Sequence, residues 1–311
     1  MNIETLRVFC DVVQHQSFSR GAAANEVSQS AATQSVHRME RHFGLQLVDR
    51  SKRPFVLTPE GLACFEGFRK VLELYDTVES RVRSLRMEIS GVVRVASIYS
   101  VGLHDMSRCM QDFMRRYPQA TVRLEYQHPA RVREAVLNSE VDLGIISYPT
   151  PSSEIHVLPL RSERMVVVCH PEHPLAAKGT VTAKMLEGVD FIGFDRELSI
   201  RKEIDRFLRQ QAVTIRVVME FDNIETIKQA VEIGAGVSIL PEPTIRREIK
   251  AGTLAAVHLT APELQRPIGI IHLLRRVFTP TAGKFVELLR ELSGAEEESG
   301  RMKAEGMKDE S

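Results

Sequence analysis

The chain has no excess of charge: 41 Lys and Arg balance 41 Asp and Glu over 311 residues. That excludes a uniform basic coat, although not a local nucleic-acid site. Cysteine is scarce. Cys10, Cys64, Cys109 and Cys169 lie far apart and form no C-x-x-C. A disulfide framework is excluded, and a reducing, cytoplasmic setting is expected. No apolar run approaches the ~18 residues of a membrane span, and the opening Met1-Asn2-Ile3-Glu4 lacks the pattern of a secretory signal. Catalytic signatures are missing too: there is no G-x-S-x-G, no Walker loop and no H-E-x-x-H. Gly234-Ala235-Gly236 begins like a dinucleotide fingerprint, but position 239 is Ile, so it reads as a tight turn between helix and strand. Cys169-His170-Pro171-Glu172-His173 holds every metal-ligand type, yet its proline makes the backbone extended or turned, so the two histidines need not converge. No metal site and no enzyme is expected.

What is present is an ordinary globular composition, 43% hydrophobic and 26% charged, long enough for two or three domains. Residues 1–58 read as short helices with tight turns. Ile3, Leu6, Phe9 and Val13 recur at helical spacing. Ser17 and Ser28 read as N-caps of a second and a third helix, and Gly44 ends the third. The run Gly21-Ala22-Ala23-Ala24 suits close packing of the second helix on its neighbours. On a helical wheel Ala32, Val36, Met39 and Phe43 form a narrow apolar stripe in the third helix. Ser30, Gln34, His37 and Arg41 lie opposite, flanked by Thr33 and Arg38. A solvated face is the bland reading. The sharper one is a helix whose amides and hydroxyls meet base edges while its arginines meet phosphate. Val27–Thr58 carries a local charge of +3, which the whole-chain balance hides.

The ordered series goes further. Leu6-Arg7-Val8-Phe9 is followed by Ser17-Phe18-Ser19-Arg20-Gly21-Ala22-Ala23, Val27-Ser28-Gln29-Ser30-Ala31 and His37-Arg38-Met39-Glu40. Phe43-Gly44-Leu45-Gln46-Leu47-Val48-Asp49-Arg50 and Leu57-Thr58-Pro59-Glu60-Gly61 complete it. This series resembles the winged helix-turn-helix of the LysR-type transcriptional regulators, and the likeness extends to about residue 292. The resemblance implies a sequence-specific DNA-binding regulator controlled by a small-molecule co-inducer, with no other cofactor. Its implied partners are a double-stranded DNA operator, copies of itself in a dimer or a homotetramer, and RNA polymerase as a further candidate. The DNA-contacting residues would be Arg20, Ser28, Gln29, Ser30, Thr33, Gln34, His37, Arg38, Arg50 and Arg53. Ser30, Ala32 and Gln34 stand where relatives often have proline, leucine and arginine, so no base preference carries over. Ser51–Thr58 would be the wing, its basic tip reaching phosphate or the minor groove.

Residues 59–90 read as one linker helix. Thr58 is its expected N-cap and Pro59 its first residue. Phe65, Phe68, Leu72 and Tyr75, then Val78, Val82, Leu85 and Ile89, make a seam interrupted by one three-residue stammer. A lone helix cannot bury such a seam, so dimerisation through it is expected.

Residues 91–292 alternate strand and helix, the mark of helices covering a mostly parallel sheet. The resemblance implies two Rossmann-like lobes, as in periplasmic solute-binding proteins, formed by 91–162 plus 266–292 and by 163–265. The fold expected is therefore an α/β effector domain of two lobes, preceded by an α-rich winged helix-turn-helix and a long linker helix. Ligands of open α/β sheets bind beyond the carboxyl ends of strands, where helix N-termini offer free N–H groups. Ser97, Tyr99, Ser100, Ser147, Phe194, Ser199 and Phe221 are the candidates for an interlobe cleft, each also readable as a plain cap or turn. Hydroxyls and helix termini suit a small anion or carboxylate. A two-lobed solute-binding protein and a redox sensor using Cys109 and Cys169 are the rivals. The tail 293–311, rich in Glu, Lys, Gly and Ser without apolar period, is expected to be disordered.

Overall fold

The computed structural model describes residues 1–84, 89–260, 263–274 and 276–306. Within these it describes all side chains except those at 73, 80, 81, 83, 84, 102–105, 107 and 295–306. The chain divides into two compact units, Met1–Met87 and Glu88–Ser311.

The first unit opens with α1 (Ile3–Gln14), α2 (Phe18–Ala24) and α3 (Gln29–Phe43). Ser17 Oγ accepts from the N–H of Arg20 at 3.3 Å and Ser28 Oγ from that of Ala31 at 3.2 Å, so both serines cap their helices. Gly44 closes α3 at φ +67°, a left-handed conformation that a side chain would strain. Gly21 is needed for a different reason: a Cβ there would lie 2.5 Å from the Cα of Val12, so its absence lets α2 press onto α1. The antiparallel pair β1 (Val48–Asp49) and β2 (Val56–Leu57) flanks the wing turn, which contains the cis Arg53–Pro54 bond. Then α4 (Pro59–Ser84) begins with Thr58 as cap, its Oγ1 accepting from the N–H of Gly61 at 3.0 Å.

Phe9, Val36, Met39 and Leu47 form the core of this unit. Two expectations change here. Phe43 is 40% exposed rather than buried in the α3 stripe, and its ring stacks on Phe68 instead. Phe65, Phe68 and Leu72, read as seam residues, have their neighbours within their own unit. They pack against α1, where Arg7 also pairs with Asp76 at 2.7 Å. The face of α4 left uncovered within the unit is a different one: Val71, Leu74, Tyr75, Val78 and Val82 are exposed, Leu74 by 66%. Leu85 lies outside the described residues. Ile89 belongs to the second unit and packs on its core.

The second unit begins with β3 (Gly91–Ser97), α5 (Tyr99–Arg116), β4 (Ala120–Tyr126), α6 (Pro129–Leu137) and β5 (Leu143–Ser147). Next comes β6 (Ile155–Cys169), a strand of 15 residues. β7 (Thr180–Val181), β8 (Asp190–Phe194), α7 (Ser199–Gln210), β9 (Arg216–Phe221), α8 (Ile224–Glu232), β10 (Ser238–Pro241), α9 (Arg246–Ala251) and β11 (Ala255–Leu259) follow. The chain returns through β12 (Gln265–Leu273) and α10 (Pro280–Gly306). β3 pairs in parallel with β4 and β5, and β8 with β9. The strands nearest the crossings are antiparallel, so the sheet is more mixed than alternation alone suggests. β6 pairs with β12 up to Arg164 and with β10 and β11 from Met165 onward, so one strand serves both lobes. Each lobe has its own apolar core. Phe113, Leu143, Ile145 and Phe285 centre the first, and Met165, Phe191, Ile204 and Ile239 the second.

The last helix does not end near Leu292. It continues to Gly306 across the stretch read as disordered. Ala295, Glu296–Glu298, Met302, Lys303 and Ala304 are strong helix formers. Extending a nucleated helix costs far less than starting one, even where no apolar face is buried.

Candidate functional site

The first unit presents a polar face built on α3. Ser28, Gln29, Ser30, Gln34, His37 and Arg38 are exposed along it and Thr33 is half-buried; Arg20 on α2 and Arg53 in the wing are exposed as well. Several are already engaged. Ser28 and Ser30 share a hydroxyl hydrogen bond at 2.9 Å, Ser19 donates to Gln29 Oε1 at 2.8 Å, and Thr33 Oγ1 donates to the carbonyl of Gln29. Arg50 is less free than the sequence suggests. It donates to His37 Nε2 at 2.8 Å and to Glu40 Oε2 at 3.2 Å, and its guanidinium lies 5.5 Å from the centre of the Phe18 ring. Glu40 Oε1 accepts from the N–H groups of Leu47 and Val48. Glu40 therefore ties the base of the wing to α3, which sets their mutual geometry. Among the described residues Gln34, Arg38 and Arg53 have no hydrogen-bonded or ionic partner, so these side chains are available to an outside molecule.

In the second unit the carboxyl ends of β3, β4, β5, β8 and β9 converge on a cavity of about 430 Å³ with walls from both lobes. Tyr99, Ser100, Ser147, Phe194 and Ser199 line it. Ser97 and Phe221 do not. Strand alternation turns Ser97 inward, where it is fully buried and donates to the carbonyl of Ile98. Phe221 ends β9 packed against the core of its own lobe. The helices α5 and α7 start without a side-chain cap, so their first N–H groups and positive dipole ends are left for a ligand. By contrast α8 is capped by Asn223, whose Oδ1 accepts from the N–H of Thr226 at 3.0 Å.

The residue that sequence reasoning missed is Arg266. It lines the cavity yet is only 2% exposed. Its Nη1 donates to Ser100 Oγ at 2.9 Å, while Nε and Nη2 donate to Glu163 Oε2. Arg161 holds the other oxygen of Glu163 at 2.7 Å. Burial pushes the Glu163 carboxyl up, but the two guanidinium groups outweigh it, so the group is held below its ordinary value and stays ionised. A signal existed in the sequence: Arg161 and Glu163 fall on one face of a strand whose continuation is apolar.

Among the described residues no group of three or more His, Cys, Asp or Glu side chains could hold a metal ion, and no helix is long and apolar enough to cross a membrane. The thiols of Cys109 and Cys169 are buried, and burial pushes them up to about 12 and about 11. Both stay protonated at neutral pH, unlike reactive cysteines.

Comparison with known proteins decides the family. Residues 3–62 match the bacterial regulatory helix-turn-helix protein, lysR family, and residues 86–294 match the LysR substrate binding domain. The chain belongs to the LysR family. It is 27% identical over 294 residues to the uncharacterized HTH-type transcriptional regulator YfeR of Shigella flexneri, covering 94% of this chain and 95% of that one. A full-length OxyR variant from Pseudomonas aeruginosa shares its fold with a TM-score of 0.75 at 23% identity, over 94% of each chain. The Synechocystis CcmR regulatory domain, solved in complex with 2-PG, matches 66% of this chain and 98% of its own, with a TM-score of 0.61 at 24% identity. This LysR-type regulator thus combines a DNA-binding helix-turn-helix with a two-lobed effector-binding domain, the architecture its sequence implies.

Proposed function

We propose that this regulator reads its operator through α3 and the wing, and that a small anion or carboxylate seated between the lobes modulates that binding. One observation carries the reading: both lobes wall a single cavity where two uncapped helix N-termini, the Ser100 and Ser199 hydroxyls and the buried Arg266 converge. Such donors favour a negative group. The 2-PG named for the CcmR domain is a precedent for a small molecule held by this fold. The exposed apolar face of α4 supports a homo-oligomer joined through that helix. A ligand governs DNA binding only if it prefers one arrangement of the assembly, so its effect belongs in operator spacing or bend as well as affinity. The test is footprinting of the full chain on its own promoter region with and without metabolites that raise its melting temperature. A metabolite that stabilises the protein but leaves the footprint unchanged counts against control through this cavity.

A further inference from the structure

We infer that Glu40 is a positioning residue for operator binding: its carboxylate holds the wing in register with α3, so that Arg53 in the wing and Gln34 on the helix meet one duplex together. The inference rests on the reading of α3 and the wing as the DNA-binding surface and adds what fixes the one against the other.

The wing has little to hold it by itself. β1 and β2 are two residues each, and they pair only as Val48 with Leu57 and Asp49 with Val56. A hairpin so short is marginal on its own in water. Its base is fastened to α3 through one residue. The Glu40 carbonyl accepts from the N–H of Gly44 and, at 3.1 Å, from that of Leu45. The Glu40 side chain takes over where the carbonyl stops: Oε1 accepts from the N–H of Leu47 at 3.1 Å and from that of Val48 at 3.4 Å. Arg50, the residue after β1, donates from Nη2 to Oε2 at 3.2 Å, and His37 Nδ1 lies 3.2 Å from the same oxygen. Arg50 is braced on its other sides by His37 Nε2 and by the Phe18 ring of α2.

This is a costly place for a carboxylate. It shares α3 with the exposed Gln34, His37 and Arg38, where its charge repels the phosphates of any operator. Its side chain is also only 11% exposed, so it has given up most of its water. The geometry it fixes has to outweigh both effects, and the sign of its removal separates the two roles. Without a bystander carboxylate, DNA would bind more tightly. Without a positioning carboxylate, DNA binds more weakly although the protein has lost a negative charge. Arg53 makes no hydrogen bond or ion pair with Glu40, so coupling between them in DNA binding has to pass through the wing.

The test uses the full chain and a duplex that the wild-type protein selects from a random-site library. Glu40→Ala should weaken binding by about tenfold or more and lower the salt slope by about one, because the phosphate contact of the wing is lost. Arg53→Ala, which should cost about tenfold in the wild-type background, should cost little in the Glu40→Ala background, whereas Gln34→Ala should relax base choice equally in both. Glu40→Gln removes the same charge but keeps an acceptor for the two amides, so its affinity should lie between those of Glu40→Ala and wild type. If Glu40→Ala melts below the assay temperature, Glu40→Gln carries the same readouts: weaker binding and a reduced cost of Arg53→Ala. If the folded variant binds as tightly as wild type or more so, or if its loss simply adds to that of Arg53→Ala, Glu40 does not position the wing and the DNA-binding surface stands. A Glu40 variant that also erases the contribution of Gln34 would show a unit damaged throughout and overturn the positioning role. If neither Arg53→Ala nor Gln34→Ala changes wild-type binding, the reading of that surface falls and takes this inference with it.

Discussion

At the scale of single residues, side chains with free hydrogen-bonding capacity are the ones to change. Gln34 is exposed on α3 without a partner, and a primary amide can pair bidentately with adenine. Gln34→Ala should cost about 1–3 kcal/mol on the preferred operator and relax base choice at one position, measured by competition against a random-site library. Arg53→Ala should instead weaken all sequences alike and flatten the salt dependence. Glu163 makes a prediction in pH. Its carboxyl holds a proton more weakly in the native protein than in the unfolded chain, because Arg266 and Arg161 outweigh its burial. Its ion pairs therefore contribute fully above about pH 4.5, and the contribution drains away as the pH falls through the lower native value. Glu163→Gln should lose about 3–5 kcal/mol at pH 7, and its melting temperature should approach that of wild type in acid. A constant gap down to pH 3 would count against the pairing. These residues also show where sequence reasoning reaches its limit. The caps Ser17, Ser28 and Thr58 were legible because a cap is a local bargain between a hydroxyl and an amide a few residues on. Arg266 was not, since its partner Glu163 lies 103 residues away. Ser97 was misplaced by a single alternation of a strand.

At the scale of elements, α4 separates two apolar rows that periodicity alone merges. Phe65, Phe68 and Leu72 face α1, while Val71, Leu74, Tyr75, Val78 and Val82 stay exposed. Both rows have helical spacing, so only the docking of α1 tells them apart. The proposed homo-oligomer makes the second row the interface. Leu74→Asp should then reduce the mass seen in sedimentation while the melting of the helix-turn-helix unit is unchanged, because Leu74 touches little of its own unit. Leu72→Asp should instead destabilise the unit itself by about 2–5 kcal/mol, since it buries a charge among Phe9, Phe65 and Phe68. Equal behaviour of the two variants would show that the rows are misassigned. The short strand β7 is beyond the reach of periodicity for another reason. Two residues, Thr180–Val181, carry no readable alternation, and they become a strand only because β11 lies beside them.

At the scale of the whole molecule, the order of domains was readable because each has a distinct pattern: small capped helices, one long apolar helix, then alternating strand and helix. The cavity was half readable. Helix starts after strands mark where a ligand could sit, but which lining residues point into the space depends on packing between the lobes. Ser147, at the end of β5, lines the cavity without belonging to the ion-paired group around Glu163. Ser147→Phe should fill that space and abolish the effector's influence on the footprint, while operator affinity without effector stays within about twofold. A variant that still responds to the effector would place the ligand elsewhere.

One more property follows from the shared strand β6. Its pairing with β12 runs to Arg164 and Gln265, and the N–H of Met165 then donates to the carbonyl of Leu264 at 2.9 Å. Both passages of the chain from lobe to lobe therefore travel in one hydrogen-bonded ribbon, with a bulge at Leu160 between the partners of Ile268 and Gly269. Splaying the lobes apart would tear rungs from that ladder. Twisting them spreads a small change in φ and ψ over many residues, and a bulge already favours twist. A molecule that grips both walls of the cavity would thus register as torque along the ribbon, and the regulator's answer would be a rotation of one lobe against the other rather than the closing of a jaw.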